Sequence, residues 1–294
     1  MLRSATNKPA LTDAELVDRA ARFVLHIKHL ITEYNVQLEN IYSLDETALF
    51  FDHNDGGTVH SRGARDVQIR SFRAEKLRLT GLLCASASGN KLLPTLLLKG
   101  DTESSIRTIA GVRCLYGDKS WITQDMFIRW IDFEFAFVQR NTVLLVFDSA
   151  RAHIAARVKT HLHNRGILFV VIPGGLTPHL QPCDVSWFKP LKESIDRWKA
   201  SPNHEQTRFG NPRPPTTEDM MIWLSAAWTS ISVALIRNSF ERCFLGESLF
   251  LHIARNEVYG EQFRVKLAEL AGGHETIEDV EVSEDSDPLM IDDE

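Results

Sequence analysis

Two short, wholly apolar runs occupy the second half of the chain, Val143 to Phe147 and residues 167–172. The first runs into Asp148 and the second into Pro173-Gly174-Gly175. Runs this short and without alternation suit parallel strands buried on both faces. Between them Ile154, Ala155, Val158 and Leu162 recur at helical spacing, which predicts a crossover helix over about 150–164. In open α/β sheets ligands lie beyond the carboxyl ends of the strands, which is where Asp148 falls.

The rest of the pattern divides in the same way. Leu16, Ala20, Phe23, Val24, Ile27, Leu30 and Ile31 predict a helix over 13–34 with Asp13 as its cap. Residues 41–51 are β-prone at both ends and carry Asp45 and Glu46 in the middle. Read as a strand, they send those two acids to opposite faces. Residues 77–86 and 92–98 flank Ala87-Ser88-Gly89-Asn90-Lys91 and predict an antiparallel hairpin. Residues 100–120 read as irregular. Thr123 or Gln124 opens a helix to about 139, with Met126, Phe127, Trp130, Ile131, Phe133, Phe135 and Phe137 as core bulk.

After the second apolar run, a loop over 174–181 leads to a helix from Cys183 or Asp184. That helix carries Trp187, Phe188, Leu191, Ile195 and Trp198, and Pro190 inside it should start, bend or interrupt it. Residues 201–216 hold four prolines and predict a linker. Thr216 or Thr217 then caps a helix to about 239, residues 240–270 read as helical, and the chain from about 272 reads as disordered. The implied organisation is a lead-in helix (1–40), a core (41–200), a linker with a helical extension (201–271) and a tail (272–294).

Composition narrows the class. With 44% apolar and 24% charged residues the chain can bury a sizeable core. Its apolar runs are far short of the roughly 20 residues of a membrane helix, so no membrane partner is expected, and the first residues lack the apolar core of a secretory signal. Cys84, Cys114, Cys183 and Cys243 are scattered without a CxxC pair, which argues against a zinc ribbon or disulfide framework and for a reducing compartment. The net charge of −6 conceals an asymmetry: the last twenty residues hold ten acids and no Lys or Arg, leaving +4 on the body. A nucleic-acid partner therefore stays open. The basic run Arg62, Arg65, Arg70, Arg73, Lys76 and Arg78 suits either a solvated loop or a surface for a phosphate backbone.

Strand, hairpin, helix, strand, helix, strand, helix is the ribonuclease H-like order: an α/β fold with a mixed sheet of antiparallel hairpin strands and parallel strands, flanked by helices, here with a helical C-terminal extension. Acids stand on the first strand (Asp45), after the fourth (Asp148) and at the start of the following helix (Asp184), the last two separated by 35 residues. If the first and fourth strands are neighbours, Asp45 and Asp148 lie side by side. Converging carboxylates repel unless cations sit among them, and Mg²⁺, a hard cation that takes oxygen ligands, suits such a cluster. Asp148 and Asp184 alone could each equally be the cap of the helix that follows, and Asp45 with Glu46 could equally mark a turn.

Three blocks, YSLDET, LLVFDSARAH and IPGGLTPHLQPCDVSWFKPLK, resemble the signature blocks of the DDE-superfamily transposases, in the pogo/Tigger branch of the mariner group. The resemblance covers about residues 15–250. It implies a Mg²⁺-dependent DNA endonuclease and strand transferase, with Mn²⁺ able to substitute, cutting at transposon inverted ends and joining at TA targets as a nuclear homodimer. Carried across, Asp45, Asp148 and Asp184 would be the metal-binding catalytic acids; Glu46, on the other face of a regular strand, would not. His153 would sit behind the ligands or near phosphate, or else on a helix surface, and Arg151 would add charge near the metals. His179 and Gln181 would touch DNA or shape their loop, and Lys189 and Lys192 would meet phosphate or solvent. Only about forty residues precede Asp45, whereas the family usually places helix-turn-helix domains there. The alternative is therefore a domesticated or truncated relative acting as a non-catalytic DNA- or protein-binding module. A weaker one is another ribonuclease H-like nuclease, acting for example on RNA.

Overall fold

The computed structural model describes residues 11–51, 78–101, 106–136, 142–199, 208 and 213–272. The basic run from Arg62 to Lys76, most of the proline-rich linker and the acidic tail expected to be disordered lie outside the described residues. The chain enters through α1 (Asp13–Glu33), whose buried stripe is Val17, Ala20, Ala21, Phe23, Val24 and Ile27. Its cap is Thr12 rather than Asp13: the Thr12 hydroxyl accepts from the Glu15 N–H, and the Glu15 carboxylate accepts from the Thr12 N–H. This reciprocal box satisfies two helix-end donors, which Asp13, already inside the helix, cannot do.

Among the described residues seven strands form one sheet: β1 (Ile41–Phe50), β2 (Arg78–Ser86), β3 (Thr95–Lys99), β4 (Arg107–Ile109), β5 (Val112–Gly117), β6 (Val143–Phe147) and β7 (Ile167–Val171), in the order β4-β5-β3-β2-β1-β6-β7. β1 runs unbroken through its acidic pair and lies antiparallel to β2 and parallel to β6. The expected hairpin forms from β2 and β3. Gly89 at its turn has φ +95°, and a Cβ there would meet Val233 Cγ1 at 2.5 Å, so both the turn and the close approach require glycine.

Residues 100–120 are not irregular. β4 and β5 make a second hairpin about Ala110 and Gly111, whose φ values of 49° and 76° form the tight turn that matches strand twist. β5 also pairs parallel with β3. The short, charged β4 hid this hairpin, because its exposed edge needs no apolar pattern.

On one sheet face lie α2 (Gln124–Glu134), the pair α3 (Arg151–Ile154) and α4 (Ala156–Asn164), and a core of Phe127, Trp130, Leu145, Phe147, Val158 and Leu162. The single crossover helix expected over 150–164 is broken at Ala155, whose ψ of 140° is extended. Phe133, expected in the core, is 43% exposed beneath the Arg113 guanidinium. On the other face lie α1, the short α5 (Thr177–Leu180), α6 (Phe188–Lys199), α7 (Thr217–Ser230), α8 (Val233–Phe240) and α9 (Gly260–Gly272). The single helix expected over 216–239 bends by 72° between α7 and α8, where Ser232 caps α8. Pro190 falls in the first turn of α6, directly after a widened π turn at Cys183–Trp187, so the interruption it was expected to bring appears as that π turn.

Among the described residues no single helix is long and apolar enough to cross a membrane. The apolar stretch of α7 and α8 packs into the core through Trp223, Leu224, Ala227, Ile236 and Phe240. All four cysteines are buried and free.

Leu145 is fully buried at the centre of β6. Leu145→Ala should therefore lower unfolding stability by about 2–5 kcal/mol, whereas Val265→Ala on exposed α9 should stay within about 0.5 kcal/mol. Urea melts of the two variants measure this contrast.

Candidate active site

The parallel register of β1 on β6 pairs Ser43 with Val146. Carried two residues further, it brings Asp45, midway along β1, abreast of Asp148, just past the carboxyl end of β6. Alternation sends Ile41 and Leu49 of β1, and Leu144 and Val146 of β6, to the core beneath α1, and Asp45 and Asp148 share that parity. Tyr42 and Leu44 join the opposite core, so Glu46 faces away from Asp45, as a regular strand requires.

Asp184 arrives from a different part of the fold. It sits in the π turn that leads into α6, and in the same turn Trp187 is fully buried and donates its indole N–H to Ser239 of α8 at 2.8 Å. Three residues earlier, Gln181 is wholly buried: it accepts from the Ser43 hydroxyl at 2.7 Å and donates to the Leu44 carbonyl at 3.0 Å. Gln181 thus ties the loop that delivers Asp184 to β1 just before Asp45. Its burial assigns it to shaping that loop rather than to facing DNA.

The three acids influence one another. Burial pushes the Asp45 carboxyl well above the usual range, and Asp148, Glu46 and Asp184 add to it, against one backbone hydrogen bond from the Glu46 N–H. Burial also raises Asp184, with Asp148 adding to it and Lys192 opposing. Asp148 behaves differently. Burial would raise it, yet the hydrogen bond and charge of His153 and the Ala150 N–H hold it below the ordinary value. Among the described residues no three His, Cys, Asp or Glu side chains converge closely enough to hold an ion as they stand. The acids form a loose triad coupled by charge. None is a helix cap: Ala150 caps α3 and Pro182 precedes the π turn.

His153 is fully buried, not on a helix surface. Its Nδ1 lies 2.6 Å from Asp148 Oδ1 and its Nε2 lies 3.0 Å from Glu46 Oε1. The ring packs on Phe127 at 4.5 Å and against the edge of Phe147 at 5.6 Å. Two carboxylate acceptors call for a hydrogen on each ring nitrogen. Burial works against that charge, but Glu46 and Asp148 outweigh it and push the ring up to about 10. The break at Ala155 leaves His153 on a separate single turn at the end of β6, within reach of both strands.

The remaining candidates stand apart. Arg151 is exposed at the start of α3. Lys189 is almost fully solvated and faces Glu193 at 4.0 Å, whereas Lys192, also exposed, faces Asp184. His179 turns away from the acids to the Tyr259 hydroxyl, with His252 beside it. Glu46 is the participant that sequence reasoning missed. Strand parity put it on the face away from Asp45, where it does lie, and nothing in the spacing signals that the His153 ring would reach it there around the strand end.

Comparison with known proteins bears on the whole arrangement. The family model of the DDE superfamily endonuclease matches residues 76–240, more than half of the chain. The pogo transposable element with KRAB domain of Mus musculus is 26% identical over 256 residues, 84% of this chain and 42% of that protein. The Tigger transposable element-derived protein 7 of Homo sapiens is 26% identical over 187 residues, 58% of this chain and 33% of that protein. The chain thus spans about two fifths or less of these curated relatives. The Mos1 transposase paired-end complex with left transposon end has a TM-score of 0.54 at 13% identity, covering 92% of this chain and 66% of that one. The Mos1 mariner paired end complex with Mn has a TM-score of 0.51 with the same identity and coverage. Agreement in shape at that identity is agreement in fold, and the expected ribonuclease H-like class holds.

The His153 shift fixes a pH dependence. A folded-state value of about 10 against an ordinary 6.5 means the ring's contribution is full below pH 6.5 and is lost as pH rises toward 10. In denaturant melts, the stability gap between wild type and His153→Gln should narrow steadily between those limits. A gap constant across that range would mean that the ring is neutral.

Proposed function

Because the chain belongs to the DDE superfamily endonuclease family, we propose that it is a divalent-metal-dependent DNA endonuclease and strand transferase using Asp45, Asp148 and Asp184. The observation that carries the reading is the β1–β6 register, which sets buried Asp45 abreast of half-buried Asp148 where β6 ends, while Asp184 couples to both. Mg²⁺, or Mn²⁺ in its place, fits this donor set: the carboxylates of buried Asp45, half-buried Asp148 and exposed Asp184 supply hard oxygen ligands and carry a repulsion that cations would offset. When bound, a pair of such ions supplies activation of an attacking oxygen and stabilisation of a leaving oxygen in an in-line displacement.

The chain's own residues do the rest. Asp45 and Asp148 orient ligand oxygens from adjacent strands, and Gln181 holds the Asp184 loop against β1. The exposed Lys189 and Lys192 on α6 suit contact with phosphate. The substrate proposed is DNA bearing transposon inverted ends, joined at TA targets by a homodimer; relatives of like fold captured on transposon ends support DNA as partner.

A second reading has its own observation: the acids do not converge into a closed ion site as they stand. It would make the chain a module that keeps the fold and binds DNA without cutting it.

Two measurements separate the readings. Incubated with Mg²⁺ or Mn²⁺ and DNA carrying the inverted ends of its own locus, the wild type should nick and Asp148→Asn should fall to background. No nicking by either protein, alongside retained DNA binding, would favour the module. The second measurement needs no substrate. Ionising Asp45 above its ordinary 3.8 opposes folding, since its folded-state value is raised. Asp45→Asn should therefore raise the metal-free melting temperature, by about 2–4 °C per kcal/mol of repulsion relieved, and should abolish the rise that Mn²⁺ gives the wild type.

A further inference from the structure

Glu46 is a carboxylate on the face of β1 away from the proposed metal site, yet it is bound to that site's geometry. Its Oε1 accepts from His153 Nε2, and His153 Nδ1 meets Asp148 Oδ1. The Ala150 N–H takes the same Asp148 oxygen at 3.3 Å. Both contacts therefore fall on Oδ1, and among the described residues Oδ2 carries no hydrogen bond. Asp148 is pinned by one oxygen and offers the other.

Pinning through a ring works only if the ring itself is held. Phe127 and Phe147 fix its plane, but a plane alone permits a half-turn that would exchange the two ring edges. Glu46 removes that freedom by accepting from the far nitrogen. It can do so only because β1 places it one residue from Asp45 and on the other face. One strand thus presents Asp45 directly and governs Asp148 indirectly, around the end of β6.

We propose that Glu46 and His153 form a positioning pair that locks Asp148 in a single orientation, with Oδ1 held and Oδ2 presented as the ligand oxygen. The role rests on the reading of Asp148 as a metal ligand, but the lock itself does not need the metal to be observed. Partners behind a metal ligand commonly change affinity by about 10- to 100-fold when removed. Glu46 acts here through another residue and touches neither metal nor substrate.

The test uses the full chain with Glu46→Ala, Glu46→Gln and Asp148→Asn, each checked for folding by circular dichroism. Glu46→Leu stands in if the alanine variant does not fold. Mn²⁺ binding is measured by calorimetry, and the His153 Nδ1–H proton is followed by NMR without metal. Glu46→Ala should weaken Mn²⁺ binding by roughly tenfold or more and lose the hydrogen-bonded Nδ1–H resonance. Glu46→Gln, which keeps an oxygen acceptor, should restore most of both; a merely space-filling role would not distinguish the two variants. Wild-type Mn²⁺ affinity together with an intact resonance in Glu46→Ala overturns the proposal. If wild type and Asp148→Asn bind Mn²⁺ equally, or neither binds it, the metal reading fails instead, and the resonance alone decides whether Glu46 locks the ring.

Discussion

The parallel pairing of β1 with β6 is the contact on which the site depends. Parallel strands carry a fixed register set by slanted hydrogen bonds, and a slip of one residue would turn one acid to the other face. The register is held because both strands are buried on both sides. Leu144 and Val146 lie in one core, and Val143, Leu145 and Phe147 in the other. Any slip would bring polar groups into one of these cores, so apolar packing at the middle of the sheet determines where two carboxylates stand at its end.

Holding those carboxylates side by side, one buried and one half-buried, has a cost, and the polar network around them limits it. Asp148 is kept ionised by His153 and a backbone N–H, whereas Asp45 has one backbone N–H and three acidic neighbours. Two acids of the same type, one strand apart, are thus set in opposite directions by their surroundings. That asymmetry belongs to the metal-free chain. Offsetting the Asp45 repulsion is what a cation would contribute, and it marks Asp45 as the acid whose environment is least complete.

The third acid depends on the helical layer as much as on the sheet. Asp184 stands in a π turn fixed on one side by Gln181 against β1 and on the other by Trp187 against α8. π turns recur at functional sites because the extra residue re-aims a side chain. The C-terminal helices are therefore part of the frame of the site. α8 reaches back to the hairpin turn at Gly89, and α9 packs on α1.

Much of this is legible in the residues. The apolar runs of β6 and β7, the strand with acids at its centre, the Gly-Asn hairpin and the three blocks carrying Asp45, Asp148 and Asp184 lead to the fold class and the family, because buried strands and family signatures are local patterns. Tertiary structure alone decided the rest. The β4–β5 hairpin lay hidden because an exposed edge strand needs no apolar alternation. The helix breaks at Ala155 and Ile231 fall where no proline or glycine announces them. The buried positions of His153 and Gln181, and the link from Glu46 to Asp148, join residues more than a hundred positions apart by hydrogen bonds that no spacing encodes. Sequence determined which acids the chain carries and which segments bear them; packing decided how those segments meet and what holds Asp148.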